Sequence, residues 1–222
     1  MREDARASSR ELPEWPLRGV GQAFPCFRVQ DVSDESLSHV IELSRLTPAA
    51  WNLQFWRWIA VRKLAARKHL EAAASAGVPL STAPLILVCL ADTTAWKSAP
   101  EHLQSMIASR KITEEEGREA LRQVREYYSA SPEIARHTAM ANAFVALQQL
   151  LVGAAECGLS ACLITDFDQA RVKTYLHIPD HFLVAALVAM GYRGEETRPA
   201  IAKPAARDFL YKEKYGEGPG TK

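Results

Sequence analysis

The segment from residue 131 to residue 158, SPEIARHTAMANAFVALQQLLVGAAECG, most constrains how this chain can fold. Ser131 is a good helix N-cap, Pro132 suits the first helical position, and Gly158 suits the position just past the end. The pattern predicts a helix of about 27 residues, or about 40 Å. Its second half is apolar on nearly all sides, and a helix of that kind is buried. We therefore expect it either at the centre of the fold or against a second subunit.

Helices and strands alternate through the rest of the chain. Residues 33–46, SDESLSHVIELSRL, have a serine cap, two acids at the positive end and one apolar face, as in a surface helix. Residues 83–91, APLILVCLA, are continuously apolar, as expected for a strand covered on both faces. A three-layer arrangement, with helices on both sides of a sheet and one long central helix, fits this order best. Further strands are predicted at 56–62, 160–167 and 181–192, and further helices at 63–77 and 168–178.

Residues 93–129 are helical in pattern and more polar than the segments around them. Thr113 and Glu116 have the spacing of a capping box at the start of TEEEGREALRQVREYY. Because charged helix faces are costly to bury, we expect a two-helix insertion or lid here. The predicted organisation is an N-terminal arm at 1–20, a domain at 21–215 and a C-terminal tail at 216–222.

Composition excludes several classes of protein. With 48% hydrophobic residues, 24% charged residues and a net charge of +1, the chain gives no electrostatic case for binding nucleic acid or an anionic membrane. No apolar run reaches the ~20 residues that span a bilayer, and the N-terminus lacks the apolar region of a secretory signal. The six histidines show no metal-ligand spacing, and the four cysteines form no CxxC pair. We therefore expect free thiols, no metal site and a cytoplasmic location.

The stretch TPAAWNLQFWRWIAV, residues 47–61, places three of the chain's five tryptophans within eight positions and sets Asn52 and Gln54 among them. A side-chain amide offers both a donor and an acceptor, which suits a ligand with a polar edge. The same chemistry suits the backbone groups of a tight turn before a strand. The spacing leaves both interpretations open.

The order of three segments resembles the nitroreductase family of flavoproteins. The segments are VSDESL followed by TPAAWNLQFWRWIAV, then LLVGAAECGLSACLITDFD, then IPDHFLVAALVAMGY with a basic, proline-containing tail, together covering roughly residues 32–215. The resemblance implies an α+β fold, three-layer α/β/α, with a central mixed or antiparallel sheet and the long helix at a dimer interface. It also implies a homodimer with FMN between the subunits, NAD(P)H as the reductant, and a nitroaromatic, quinone-like or other conjugated molecule as the electron acceptor.

The family motif PSxxNxQPW is matched by PAAWNLQFW, which begins at Pro48. This match implies that the two amides lie near the flavin ring or its ribityl chain. The wider resemblance implies that a backbone N–H after ACLI reaches the ring nitrogen that receives hydride. It also implies that basic residues of the tail pair with the phosphate. No catalytic side chain is predicted, because the flavin carries the chemistry. The implied cofactor-binding residues are Ala49, Ala50, Asn52, Gln54, Ile164, Thr165, Lys203 and Arg207.

The chain departs from the family pattern at several positions, and two of these departures bear most on the cofactor. The arginine-rich segment that clamps the phosphate is GQAFPCF here, residues 21–27, with no arginine. Since charge-assisted hydrogen bonds are roughly twice as strong as neutral ones, Arg18, Arg28 or Lys203 must compensate, or FMN is held weakly. The proline of QPW is Phe55, which could fill part of the ring space or stack on the flavin.

These departures keep two other functions open. One is a flavin-free or weakly flavin-binding relative that retains the dimeric scaffold and binds another ligand or partner. The other is a specialised flavin enzyme, such as a dehydrogenase or dehalogenating reductase, whose specificity is set by the insertion at 93–129.

Overall fold

The computed structural model describes residues 26–74, 78–194, 205 and 208–216, and these form seven α-helices and four β-strands. The helices are α1 (Asp34–Arg45), α2 (Leu64–Ala73), α3 (Val78–Thr82), α4 (Ala99–Ala108), α5 (Glu114–Ser129), α6 (Pro132–Glu156) and α7 (Gln169–Leu176). The strands are β1 (Trp56–Val61), β2 (Leu85–Asp92), β3 (Ser160–Ile164) and β4 (Phe182–Gly191).

The four strands form one sheet in the order β1-β2-β4-β3, and every neighbouring pair is antiparallel. In the middle of the sheet Val88 of β2 lies opposite Ile59 of β1 on one side and opposite Leu187 of β4 on the other. Leu187 in turn lies opposite Ile164 of β3. β1 and β3 are therefore the outer strands of this sheet, and the predicted α+β fold is confirmed.

Helices cover both faces of the sheet, which confirms the three predicted layers. All eight residues of β2 are buried, as expected for a strand packed on both sides. Because successive side chains of a strand point to opposite faces, β2 contributes to two separate apolar clusters. Leu85, Leu87, Cys89 and Ala91 join the cluster on the α6 side, and Ile86, Val88 and Leu90 join Leu70 of α2 and Val172 of α7.

The long helix α6 has the caps that the sequence predicts. It is 25 residues long, close to the predicted length. The Ser131 hydroxyl accepts a hydrogen bond from the backbone N–H of Glu133 at 3.2 Å, and Pro132 is the first helical residue. Gly158 follows the end of the helix with φ of 68°, a conformation that residues with a Cβ rarely adopt.

A stripe of small residues lets α6 pack closely against its neighbours. The Cys89 thiol in β2 lies 3.9 Å from the carbonyl oxygen of Ala143. At Gly153 the neighbour is α1, where an added Cβ would lie 2.9 Å from Leu43 Cδ1. Larger side chains along this stripe would push the helix off the sheet. The buried alanines of the stripe are Ala135, Ala139, Ala143, Ala146 and Ala154.

The opposite side of α6 carries exposed apolar side chains. Phe144 is 37% exposed and Val145 is 52% exposed. The length of α6 and its mean hydropathy of 1.3 would also suit a membrane-spanning helix. Its small-residue side, however, packs against the sheet and α1. The predicted burial of this helix is therefore confirmed for one side, and the side that carries Phe144 and Val145 is exposed within the described chain.

The cysteines are free, as predicted. Cys89 is the most deeply placed, between the sheet and α6, and burial raises the pKa of its thiol to about 12. At neutral pH it is a protonated, unreactive packing residue.

The second helix is shorter than the predicted 63–77. It ends at Ala73 because the next residue, Ala74, forms a bridge with Phe167, and the Ala73 carbonyl accepts a hydrogen bond from the Asp168 N–H at 2.7 Å. The predicted terminal residue, Gly77, lies outside the described residues. Strand β3 likewise ends at Ile164, three residues before the predicted end.

Residues 93–129, predicted to be a helical insertion or lid, contain the two predicted helices, α4 and α5. Thr113 and Glu116 form a complete capping box at the start of α5. At the other end of α5, the buried Tyr128 ring stacks on Trp96, with centroids 5.9 Å apart, and lies 5.8 Å from the Phe55 ring. Burial raises the pKa of the Tyr128 hydroxyl. These aromatic contacts anchor the insertion to the body of the domain.

Replacing Ala143 by leucine should lower the free energy of unfolding by about 1–3 kcal/mol, because the added carbons have no space between α6 and β2. Urea unfolding followed by circular dichroism measures this change. The matched control is Ala65→Leu, at an exposed position of α2, which should change stability by less than about 0.5 kcal/mol. Equal effects of the two substitutions would mean that the small-residue stripe does not determine the packing of α6.

Candidate functional site

The segment between α1 and β1 forms a turn with an unusual backbone. Trp51, Asn52 and Gln54 have φ of 49°, 57° and 43°, all in the left-handed region. None is glycine, and each left-handed residue with a side chain costs roughly 1–2 kcal/mol. Three such residues among four persist only when the surrounding structure holds them, and strain of this kind concentrates at functional sites. We call residues 51–54 the left-handed turn.

The two predicted amides meet at this turn. The Gln54 side-chain Nε2 donates a hydrogen bond to the Asn52 Oδ1 at 3.3 Å. That bond uses the acceptor of one amide and a donor of the other. The Asn52 Nδ2 donor and the Gln54 Oε1 acceptor have no partner within the described part of the chain. The turn therefore presents a free donor and a free acceptor side by side, rather than using both amides to satisfy its own backbone.

Buried residues hold the turn on both sides. Leu53, between the two amides, and Phe55, just after them, are both completely enclosed in the core. Phe55 packs against the Tyr128 ring in the interior. It therefore does not stack on a ligand at the outer side of the turn, as the sequence had left open.

An arginine and an aspartate link the turn to the sheet. Arg57 of β1 donates hydrogen bonds to the carbonyl oxygens of Gln54 and Trp56 at 2.8 and 2.7 Å. Its guanidinium lies 3.8 Å from the carboxylate of Asp92 at the end of β2. The Asp92 backbone N–H also donates to the Phe55 carbonyl at 2.7 Å. The start of β1 is thus held by the backbone and by the side chain of the same aspartate.

A cleft of about 500 Å³ opens beside the turn, between α1, β1 and the start of the insertion. Its volume lies in the range of small-molecule sites. Its floor is mostly apolar, and Gln54, Arg57 and His102 of α4 provide polar groups at its wall. The indole Nε1 of Trp58, another lining residue, is buried without a hydrogen-bond partner in the described structure. The apolar lining residues are Leu37, Ile41, Leu53, Trp56, Ala60 and Leu87.

The second group of predicted residues lies on the other edge of the sheet. Ile164 is buried at the end of β3, and Thr165 follows it at an exposed position. β2 and β4 separate β3 from β1, so three strand spacings, or about 14 Å, lie between the two groups. The structure therefore does not bring Thr165 to Asn52 and Gln54 within one protomer, although both groups lie near the end of the sheet where β1 begins.

The remaining predicted residues fall into two sets. Ala49 and Ala50 come just before the left-handed turn, and their carbonyls accept hydrogen bonds from the Asn52 and Leu53 N–H groups at 2.9 and 3.1 Å. Lys203, Arg207 and residues 21–25 of the arginine-free segment lie outside the described residues. Among described residues, Arg28 is exposed and lines a separate cleft. No group of three or more His, Cys, Asp or Glu in the described ranges could hold a metal ion.

Together, the fold and the turn define a class of protein: an antiparallel sheet between two helical layers, with an amide-bearing turn before its first strand. The chain matches the family model described as Nitroreductase family over residues 26–192. It therefore belongs to the nitroreductase family, and the predicted resemblance is confirmed. The oxidoreductase class predicted from the sequence is confirmed with it.

Individual relatives agree with this assignment. A Thermus thermophilus protein named NADH dehydrogenase is 32% identical over 188 residues, covering 84% of this chain and 89% of the relative. Among solved structures, ydfN from Bacillus subtilis superposes with a TM-score of 0.81 at 22% identity, over 86% of this chain and 94% of that one. A protein from Exiguobacterium sibiricum, solved in complex with FMN, has a TM-score of 0.78 at 14% identity, over 89% of this chain and 95% of that one.

Sequence reasoning missed two features of the site. Glycine is the usual sequence signal for positive φ, and the left-handed turn contains none. Its positive φ values could therefore not be predicted from the sequence. Arg57 and Asp92 are 35 positions apart in the sequence and meet only because β1 pairs with β2.

The left-handed turn can be tested with two substitutions at one position. Gln54→Gly and Gln54→Val both remove the amide, but glycine adopts a φ of 43° freely, whereas a β-branched residue is strongly disfavoured there. We expect the valine variant to be about 2 kcal/mol less stable than the glycine variant in urea unfolding. Equal stabilities would show that the backbone of residue 54 is not left-handed in solution.

Proposed function

We propose that this chain is a homodimeric, FMN-dependent oxidoreductase that passes hydride from NAD(P)H, through the flavin, to a nitroaromatic, quinone-like or other conjugated acceptor. Family membership supports this proposal, and the NADH named for the Thermus relative is consistent with the reductant. The observation that carries it is the left-handed turn with its free donor and free acceptor. The predicted cytoplasmic location is part of the proposal, supported by the free cysteines.

The residues of the turn fit a flavin. The ring has one polar edge with donor and acceptor groups and is otherwise flat and apolar. The Asn52 Nδ2 donor and the Gln54 Oε1 acceptor are complementary to such an edge, and neither is paired with another group among the residues that the structure describes. When bound, FMN supplies the hydride chemistry, and the protein's part is to bind and orient the ring and to exclude water from it.

The separation of the two predicted residue groups supports a site shared between subunits. Within one protomer Thr165 follows β3 and the two amides precede β1, and these two strands lie three strand spacings, about 14 Å, apart. We propose that the amides of one protomer and the backbone N–H of the partner subunit's Thr165 bind the same flavin. The exposed Phe144 and Val145 of α6 are the apolar side chains that would pair the protomers. The phosphate would be held by the predicted Lys203 and Arg207.

The 500 Å³ cleft beside Gln54 is the proposed place for the electron acceptor. Its apolar floor suits a conjugated molecule, and Arg57 and His102 supply polar contacts at the wall. Because His102 belongs to α4, the insertion at 93–129 contributes directly to this cleft. That contact favours the specialised flavin enzyme as the second candidate, in which the insertion selects the acceptor.

The flavin-free alternative has lost one of its two arguments. It was motivated by Phe55 and by the arginine-free segment at 21–27, but Phe55 is enclosed in the core and does not occupy the space outside the turn. The visible absorption spectrum of the purified protein tests what remains. We expect flavin bands that are released on denaturation or restored by added FMN. A colourless protein that takes up no FMN would support the flavin-free function.

Asn52→Ala should raise the dissociation constant for FMN about tenfold, because loss of one buried polar partner costs ~1–2 kcal/mol. Quenching of flavin fluorescence on titration with protein measures it. Gln123→Ala is the matched control, since the exposed Gln123 amide donates to the Glu119 carboxylate of its own helix, α5, and its loss should leave FMN affinity unchanged. If the two variants bind FMN equally well, Asn52 does not contact the cofactor.

Val145→Glu should convert the dimer to a monomer, because it places a charge at the centre of the proposed apolar interface. Light scattering should give twice the 24.6 kDa chain mass for the wild type and the single-chain mass for the variant. The dissociation constant for FMN should rise at least tenfold in the variant, because half of the site is lost. A tenfold rise corresponds roughly to the loss of one polar partner. Leu64→Glu, an exposed leucine on the opposite layer, is the control and should remain dimeric. A monomeric variant with unchanged FMN affinity would contradict the shared site.

A further inference from the structure

We propose that Arg57 is a positioning residue, braced by Asp92, that holds the left-handed turn so that Asn52 and Gln54 present their amides to the flavin. This inference rests on the proposed function for its ligand. Its physical basis lies in contacts within the chain itself. Arg57 is not among the cofactor-binding residues that the family resemblance implies.

The guanidinium of Arg57 binds the backbone of the turn at its last residue. One nitrogen, Nη1, donates to the carbonyl oxygens of both Gln54 and Trp56, at 2.8 and 2.7 Å. Hydrogen bonds from a charged donor are shorter and stronger than neutral ones. These two bonds restrain the peptide plane between Gln54 and Phe55 and the plane between Trp56 and Arg57. Arg57 therefore restrains the carbonyl side of Gln54, the residue whose φ is 43°.

Asp92 fixes the position of the guanidinium. Its carboxylate lies 3.8 Å from the second guanidinium nitrogen, Nη2. The carboxylate is itself held by hydrogen bonds from the Thr94 N–H and hydroxyl at 2.9 and 2.8 Å, and its side chain is only 10% exposed. Because the Asp92 N–H also donates to the Phe55 carbonyl, three consecutive carbonyls, at 54, 55 and 56, are bound by this pair of residues.

The position of Gln54 matters for ligand binding because its amide orients that of Asn52 through the 3.3 Å side-chain hydrogen bond. If residue 54 relaxed to a right-handed backbone, its side chain would leave that bond, and the donor and acceptor would no longer lie side by side. Leu53 and Phe55 anchor the turn to the core, and the carbonyl of Gln54 between them is bound by Arg57.

A different role for Arg57 would be direct contact with the FMN phosphate, because its side chain is 53% exposed. Riboflavin distinguishes the two roles, since it has the ring and the ribityl chain but no phosphate. A positioning residue affects FMN and riboflavin by the same factor. A phosphate-binding residue affects FMN alone.

The test is a double-substitution cycle read by dissociation constants from flavin fluorescence. We expect Arg57→Ala and Gln54→Ala each to raise the constant about tenfold, for FMN and for riboflavin alike, as for loss of one polar partner. Because Arg57 acts through Gln54, the double variant should also be about tenfold weaker, rather than the hundredfold expected for independent residues. Arg57→Lys should recover part of the affinity, since an ammonium can still donate to one of the two carbonyls.

The matched control is Arg62→Ala. Arg62 follows the other end of the same strand, donates to the Val32 carbonyl at 2.5 Å and pairs with Asp34 at 2.9 Å, so it has the same kinds of contact away from the turn. Flavin affinity should be unchanged in this variant. A hundredfold loss in the double variant, a loss confined to FMN, or an equal loss in Arg62→Ala would overturn the inference.

Hydrogen exchange of the protein without added flavin tests the same idea independently of binding. The peptide covering residues 47–55 should exchange about tenfold faster in Arg57→Ala than in the wild type and be unaffected in Arg62→Ala, because the turn opens when its clamp is lost. If the wild type bound no flavin but showed this difference, the proposed function would fail and the structural role of Arg57 would stand. Unchanged exchange in Arg57→Ala would refute the clamp itself.

Discussion

The burial of Leu53 and Phe55 is the constraint on which the candidate site depends. These two side chains are fixed in the core at alternate positions, so the residues around them must turn their amides outward. In this turn Trp51, Asn52 and Gln54 lie in the left-handed region, at an energetic cost that core burial and the contacts at the start of β1 offset. The result is a rigid display of one donor and one acceptor, which is what a preorganised binding site needs.

The long helix α6 has one side that packs inside the domain and one side that is available for the proposed dimer. Its small-residue side lets it lie close to β2 and α1, and the same helix leaves Phe144 and Val145 uncovered on its outer side. Thr165 follows the outer strand β3, and β2 and β4 separate that strand from β1 and its turn. The sheet order and the apolar outer side of α6 therefore lead to the same proposal, a site completed by a second subunit.

Much of the fold could be predicted from the sequence, because caps, hydrophobic periodicity and continuous apolar runs are local signals. Ser131, Pro132 and Gly158 defined α6, and the apolar run at 83–91 identified a strand covered on both faces. The end of α2 could not be predicted, since it depends on the pairing of Ala74 with Phe167 far along the chain. The amides at 52 and 54 were recognised as a pair, but their left-handed backbone and the Arg57–Asp92 clamp arise from long-range packing that no short pattern encodes.

A crystal structure of the protein grown with saturating FMN tests the central claim most directly. The account predicts a dimer paired through α6, with the polar edge of each flavin against Asn52 and Gln54 of one protomer and the ring beside the partner subunit's Thr165. It further predicts that residues 51–54 keep their left-handed backbone on binding. A flavin bound wholly within one protomer, or a dimer in which other side chains cover both amides, would contradict the account.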